Sequence, residues 1–276
     1  MKIALYQART GIDPEGNREE LVRAVRQAAA GGAAMLFTPE MSGLLNRDQG
    51  RASKYLRAEE DDPVLAAVRD SARDAGLWVH LGSLALLGGD GGRLVNRGFV
   101  IDAGGGIRAR YEKIHLFDVD LDTGESWRES AAYAPGGRAV VTETPLGPLG
   151  LSICYDLRFP ALFVALSGAG ARCLSIPAAF TVPTGEAHWH VLIRARAIEN
   201  SCFAIAAAQC GEHEDGRRTY GHSLVVDPWG RVLLDMRSAE REVGFAELDL
   251  ALVDEVRARL PVLRHRRAIA APEQES

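Results

Sequence analysis

Apolar positions in the first third of the chain switch repeatedly between strand-like and helix-like spacing. Residues 2–7 predict a strand, which gives way to polar Arg9, Thr10 and Gly11. Leu21, Val22, Val25 and Ala28 then fall on one face of a helix. Asn17 and Glu20 would open that helix as a capping box, and Gly31-Gly32 would close it. Residues 33–37 form a short apolar run, the pattern of a strand buried on both faces, with Thr38-Pro39-Glu40 at its C-terminal end. Asp62-Pro63 predicts a second helix, with Asp as cap and Pro at the first helical position, running to Gly76.

Strands dominate from residue 77. Segments 77–87, 94–102 and 107–112 are strand-like, joined by glycine-rich turns at 88–92 and 103–106. Residues 119–137 are polar and turn-rich and predict a long loop, a segment type that tends to carry function in compact domains. Further strands are expected at 139–144, 147–153, 173–176, 202–208, 222–227, 232–235 and 243–248. Helices are expected at 160–166, at 186–200 with Thr184 as cap, and at 251–260 before a polar tail. No linker-like shift in composition and no internal repeat interrupts this order. A single α/β domain over residues 1–276 is expected, its core in about 2–250 and a C-terminal helix and tail at 251–276.

Composition narrows the class. A chain of 276 residues can bury about three-quarters of its unfolded surface, so its core needs no staples. At 47% apolar and 25% charged it is neither collagen-like, disordered, nor a disulfide-dense secreted module. A net charge of −5 without a basic run excludes the electrostatic footprint of a nucleic-acid or anionic-membrane binder. The N-terminus lacks the apolar h-region of a signal peptide, and no apolar stretch reaches membrane-spanning length. Cys154, Cys173, Cys202 and Cys210 form no CxxC pair, so free thiols in a reducing cytoplasm are expected.

Cys154 stands at the end of a buried strand pattern, where Tyr155-Asp156-Leu157-Arg158-Phe159-Pro160 turns toward a helix. Such a turn lifts a nucleophile out of the sheet and lets backbone N–H groups face a developing oxyanion. The alternative is that Cys154 is a small buried hydrophobe, as Cys usually is. Glu40, after a stiffening Pro, and Lys113, at the end of a strand pattern, read individually as solvated charges.

Together the three change the picture. Pro39-Glu40, Tyr111-Glu112-Lys113-Ile114-His115-Leu116-Phe117-Asp118 and Ile153-Cys154-Tyr155-Asp156-Leu157-Arg158-Phe159-Pro160 resemble, in order, flanking residues and spacing, the signature of the nitrilase superfamily of carbon–nitrogen hydrolases. The resemblance runs from Lys2 to about Leu248. It implies a four-layer α-β-β-α sandwich, paired into a homodimer or higher homo-oligomer, with a small-molecule amide as substrate and no cofactor. Carried over residue by residue, Cys154 attacks the carbon of the C–N bond and Glu40 is the general base. Lys113 and the backbone N–H of Tyr155 form the oxyanion hole, and the lysine ammonium would also favour the attacking thiolate. A second glutamate, matched by Glu129 with Glu125 as competitor, positions Lys113.

Later blocks resemble the Nit amidase branch: the run from Ala179 to Trp189, then Arg194 to Asn200, Ala206-Ala207-Ala208-Gln209-Cys210-Gly211, Tyr220-Gly221-His222-Ser223 and Asp227-Pro228-Trp229-Gly230. That branch implies hydrolysis of deaminated glutathione to 2-oxoglutarate and cysteinylglycine, or of 2-oxoglutaramate by the related omega-amidases. The Gln209-Cys210-Gly211 and Tyr220-Gly221-His222-Ser223 blocks look closer to the former. A simple nitrilase, another carbon–nitrogen hydrolase acting on N-carbamoyl amides, and a non-catalytic scaffold on the same fold are the remaining alternatives. Arg158 is the candidate for gripping a 2-oxo acid carboxylate, or else pins the turn to Asp156. Phe180 and Thr184 would line the acyl site, or Thr184 is only a helix cap. The segment Asp120-Leu121-Asp122-Thr123-Gly124-Glu125 departs from the Pro-Gly turn of relatives.

Metal and nucleotide chemistry find no support in the pattern. His188 and His190, two apart on a helix, point about 200° from each other. With His213 and His222 flanking a charged loop, no carboxylate–histidine set at ligand spacing is expected, and no metal site. Gly88-Gly89-Asp90-Gly91-Gly92 is not a phosphate-binding GxGxxG and reads as a hairpin turn.

Overall fold

The computed structural model describes residues 1–120, 124 and 126–271. The first half consists of β1 (Lys2–Gln7), α1 (Pro14–Ala30), β2 (Met35–Phe37), α2 (Gln49–Ser53), α3 (Pro63–Ala75), β3 (Trp78–Leu87), β4 (Leu94–Ile101) and β5 (Ile107–Glu112). A connecting segment holds the small hairpin β6 (Asp118–Asp120) and β7 (Ser126–Arg128). The second half contains β8 (Val141–Thr144), β9 (Gly147–Leu151), α4 (Pro160–Gly168), β10 (Cys173–Ser175), α5 (Val182–Asn200) and β11 (Phe203–Ala206). It continues with β12 (Cys210–Glu212), β13 (Arg218–Tyr220), β14 (Leu224–Val226), β15 (Val232–Asp235), β16 (Glu242–Glu247), α6 (Ala251–Arg259) and α7 (Val262–His265).

Two six-stranded sheets result, in the orders β16-β1-β2-β3-β4-β5 and β15-β14-β11-β10-β9-β8. In each, three central strands run parallel (β1, β2, β3 and β9, β10, β11) and the flanking strands are antiparallel. Alternation along β1 explains the layering. Ile3 and Leu5 face a core shared with Leu149, Leu151 and Leu174 of the other sheet, whereas Ala4 and Tyr6 pack with Leu21, Val25, Leu65 and Val68 of α1 and α3. Phe163 of α4 and Trp189 of α5 close the outer face of the second sheet. The order is helix, sheet, sheet, helix, the four-layer sandwich of the carbon–nitrogen hydrolases. Main-chain bridges Ala8–Gln209 and Ala178–Ala208 stitch the ends of the strands together where the sheets meet.

Several local expectations are corrected. The first helix is opened by Asp13 and Pro14, the same Asp-Pro signal that opens α3, with the Asp13 carboxylate accepting from Glu15 N. Asn17 lies inside the helix, buried, its amide bonded to Gly11 and Gly43. α5 begins at Val182 rather than 186, with Thr181 at its N-cap; Thr184 sits in the first turn, its hydroxyl 2.8 Å from that of Thr181. The 119–137 loop contains β7 and one 3₁₀ turn, Glu129–Ala131. The hairpin β12–β13, charged and three residues a side, carried no apolar alternation to announce it. Past α6, α7 and the ion-like grip of Arg266 on Ser167 and Asn200 tie down part of what reads as a polar tail.

Candidate active site

The parallel strands of both sheets end at one place, the usual location of ligand sites in open α/β sheets. Glu40 follows β2, and its turn lies directly on β3 and β4. A Cβ added to Gly82 would stand 2.2 Å from the Thr38 carbonyl oxygen and 2.4 Å from that of Pro39; one on Gly98 would stand 2.6 Å from the Gly82 oxygen. Only glycine permits this approach. The turn is pinned where Gly82 N–H donates to Thr38 Oγ1 (3.0 Å) and Met41 N–H donates to Ser83 Oγ (2.9 Å).

Lys113 follows β5, its N–H donating to the Asn96 carbonyl of β4 at 3.0 Å. Its Nζ donates to Glu40 Oε1 at 2.8 Å and to both oxygens of Glu129 at 2.8 and 3.0 Å. The Asn96 amide donates to Glu40 at 2.9 Å and Glu129 at 3.3 Å, while Phe117 N–H (2.7 Å) and Ala179 N–H (3.0 Å) donate to Glu129 and Glu40 respectively. Lys113 is 2% exposed and Glu40 4%, so this ion pair lies out of water, with the partly buried Glu129 sharing the ammonium. Such a cluster persists only because nearly every lone pair has a donor.

Cys154 begins a short 3₁₀ helix, Cys154–Arg158, which Ser152 and Ile153 connect to the end of β9. Its φ of +51° is the left-handed region, a conformation a non-glycine residue holds only when its surroundings impose it. Here the imposition is visible. Cys154 N–H donates to the Pro177 carbonyl at 2.8 Å, and the fully buried Asp156 carboxylate accepts from Ile153 N–H (2.9 Å), Tyr111 OH (2.7 Å) and His115 N–H (3.0 Å). The His115 ring lies 2.7 Å from the same carboxylate and stacks on Phe159.

The thiol of Cys154 and the carboxylate of Glu40 line the same cavity and each shifts the other's protonation. Burial, and then the Glu40 charge, push this thiol well above its ordinary value although Lys113 opposes them. The lysine therefore favours the thiolate, as expected, but does not prevail in the resting state: the proton stays on sulfur. Burial pushes Glu40 up, yet Lys113, Cys154 and Asn96 together hold it below the ordinary glutamate value. Burial works against the Lys113 charge, but Glu129 and Glu40 outweigh it and hold the ammonium well above its usual range. A protonated nucleophile thus stands beside an ionised base that is hydrogen-bonded to a cation.

These side chains line one cavity of about 640 Å³, together with Tyr155, Arg158, Phe180 and Thr184. Glu40, Lys113, Glu129, Cys154, Tyr155, Arg158, Phe180 and Thr184, the expected site residues, all line it. Glu125 lies outside the described residues, as do Leu121, Asp122 and Thr123; Glu129 occupies the position beside Lys113. Arg158 does not pin Asp156: its guanidinium packs near the rings of Phe180 (5.5 Å) and Tyr155 (5.9 Å) and reaches His188 at 3.3 Å. Asn96 is a site residue that pattern reasoning passed over, although a polar amide inside an apolar strand was a usable signal. Trp127, Arg47 and Arg217, which also line the cavity, carried none.

The expected lack of a carboxylate–histidine set is corrected as well. His190 Nε2 lies 3.1 Å from one Asp235 oxygen and His222 Nδ1 2.9 Å from the other, and the three ligand atoms fall within 4.8 Å of one another. α5, β15 and the approach to β14 bring them together from distant positions. None of the three lines the cavity. His213 instead bonds Thr10 and Thr219.

Comparison with known proteins places these features in context. The sequence model of the family described as carbon-nitrogen hydrolase matches residues 2–258. A deaminated glutathione amidase from Yersinia enterocolitica is 38% identical over 271 residues, covering 98% of this chain and 94% of that protein. The crystal structure of the Caenorhabditis elegans NitFhit protein superposes with a TM-score of 0.88 at 38% identity, over 96% of this chain and 65% of that one. An amidase from Nesterenkonia sp. AN1, solved after Michael addition of acrylamide at its active-site cysteine, gives 0.77 at 28% identity over 95% and 98%.

Proposed function

The chain belongs to the carbon–nitrogen hydrolase family, and from that premise we propose that it hydrolyses deaminated glutathione to 2-oxoglutarate and cysteinylglycine through a cysteine thioester. The observation that carries the proposal is the cluster in which Glu40 and Glu129 share the Lys113 ammonium, in the same cavity that Cys154 lines.

Cys154 Sγ attacks the amide carbon as Glu40 takes the thiol proton, so that no free thiolate need accumulate. The carbonyl oxygen becomes an oxyanion held by Lys113 and by the Tyr155 N–H, which lies in the first turn of the 3₁₀ helix where no intrahelical acceptor exists. Glu40 passes its proton to the amine nitrogen, the C–N bond breaks and cysteinylglycine leaves. Water then attacks the thioester, again giving its proton to Glu40; the C–S bond breaks, the sulfur recovers that proton, and 2-oxoglutarate departs. Glu129 positions Lys113 between the two steps. Arg158 suits the 2-oxo acid carboxylate, with Phe180 and Thr184 beside it.

A homodimer accompanies this reading. Val164 of α4 and Val191 and Ile198 of α5 are exposed, and the Trp229-Gly230 turn packs against Ile198, so the outer helical layer carries several exposed apolar side chains. A second copy of the chain would cover it, and sedimentation velocity tests this. Among the described residues no helix is long and apolar enough to cross a membrane. A cytoplasmic location fits the free buried cysteines.

The deciding assay offers deaminated glutathione and, separately, 2-oxoglutaramate, with 2-oxoglutarate release coupled to glutamate dehydrogenase and excess ammonium. A kcat/KM at least about tenfold higher for deaminated glutathione is expected. Preference for 2-oxoglutaramate would make the protein an omega-amidase, and silence on both would overturn the substrate.

A further inference from the structure

Among the described residues, the buried side-chain polar atoms without a hydrogen-bond partner are Asn46 Nδ2, Asn96 Oδ1, Trp127 Nε1, Ser201 Oγ and Arg217 Nε. Such groups are uncommon and each calls for a reason. Asn46, Trp127 and Arg217 line the active-site cavity, and the unpaired atom of each is a donor. The Asn46 amide is oriented unambiguously, because its oxygen accepts from Asp48 N–H and Arg51.

The donors gather around an indole with two arginines packed over it. The Arg47 and Arg217 guanidinium carbons stand 4.4 and 4.5 Å from the Trp127 ring centre. Two like charges are thereby held about one indole, an arrangement that stacking favours and mutual repulsion opposes. Among the described residues, Asp215 is the carboxylate that joins them. It lies 3.7 Å from Arg217 and accepts the Arg47 N–H (2.8 Å) and the Arg217 N–H (2.9 Å), joining the two loops without matching both charges. Among the described residues the cluster therefore holds two guanidinium groups with one shared carboxylate, and donors with no acceptor.

We propose that Asn46, Arg47, Trp127 and Arg217 form a second anion subsite in the cavity, one that takes a carboxylate carried by the leaving amine. The assignment of side rests on the proposed function, in which Glu40 protonates that amine. Arg47 lies on the segment that follows Glu40 and shares Asp215 with Arg217, whereas Arg158 lies on the Cys154 turn and sits with Phe180, Tyr155 and His188. The substrate class is then an amide with a carboxylate on each half. An amide that releases only ammonia leaves the second subsite unused, so these four residues set the preference between the two candidate substrates.

Two measurements test the subsite. In turnover, Arg217→Met should lower kcat/KM for deaminated glutathione by about 10- to 100-fold, the usual cost of a charge-assisted bond. Its effect on the C-terminal amide of the same compound should stay within about threefold, and Arg217→Lys should restore part of the loss and keep the thermal midpoint. Equal losses on acid and amide, or none, would overturn the proposal. Binding by calorimetry uses N-acetyl-cysteinylglycine and its C-terminal amide with the Cys154→Ala protein, and needs no turnover. The acid should bind at least about tenfold tighter, a margin of 1.4 kcal/mol that Arg217→Met removes. Equal binding, or detectable binding of neither, would overturn the subsite. Should the wild type hydrolyse neither compound while the acid still binds preferentially, the proposed function fails and the subsite stands.

Discussion

Tyr111 OH donates a 2.7 Å hydrogen bond to Asp156, and both groups are buried. Tyr111 lies two residues before Lys113 and Asp156 two residues after Cys154, so this bond joins the lysine strand to the nucleophile turn across the two sheets. Asp156 has no solvent to fall back on. Tyr111→Phe is expected to cost about 1–3 kcal/mol in urea unfolding, the price of a buried acceptor left short. A larger proportional fall in kcat than in kcat/KM for an amide would indicate that the turn had lost its position; unchanged kinetics would show that Ile153 and His115 suffice.

Cys154→Ala and Glu40→Gln separate attack from proton transfer. Cys154→Ala should abolish turnover, by at least about 10³-fold, with a thermal midpoint within a few degrees of wild type. Retained hydrolysis would remove the covalent mechanism. Glu40→Gln keeps the thiol but deprives it of its base. Iodoacetamide should label Cys154 more slowly in that variant than in wild type, where substrate should protect it. Uniformly slow labelling of all four cysteines in the wild-type protein would favour a non-catalytic scaffold.

Removing the ammonium should be severe. Lys113→Met leaves Glu40 and Glu129 facing one another in the interior, and about 3–5 kcal/mol of stability should be lost. Combining it with Glu40→Gln takes away one of the opposed charges and should recover much of that loss. If the single variant unfolds in urea like wild type, the cluster contributes little net stability.

The pH dependence follows from three directions. Glu40 titrates below its ordinary 4.5, so its base form and its share of stability persist above that pH and are lost as pH falls through the folded value. Lys113 titrates above 10.5; its share is present below that pH and is lost as pH rises through the folded value. Cys154 sits well above 9.0, so no thiolate population builds at neutral pH. The kcat/KM profile should be flat between about pH 5 and 9. A limb rising toward alkaline pH with a midpoint below 9 would show instead that the resting nucleophile is the free thiolate.

What the sequence determined alone is local. An Asp-Pro pair followed by an apolar face opened α3 where expected, alternating runs marked β3, β4 and β5, and three short blocks around Glu40, Lys113 and Cys154 announced the family and its chemistry. Signals of this kind act over a few residues, where backbone geometry and side-chain period are coupled directly. The same locality produced the misplaced cap at Asn17 and hid β12–β13, because a matching spacing can belong to a buried amide and a charged hairpin has no period to read. The tertiary structure decided the rest. Whether Cys154 rests as thiol or thiolate depends on how burial, Glu40 and Lys113 sum through space, and the fold brings those residues together from three distant strand ends. The Arg47–Trp127–Arg217 cluster and the meeting of His190, His222 and Asp235 likewise exist only where separate loops and strands converge. Electrostatics reads distance in space rather than along the chain.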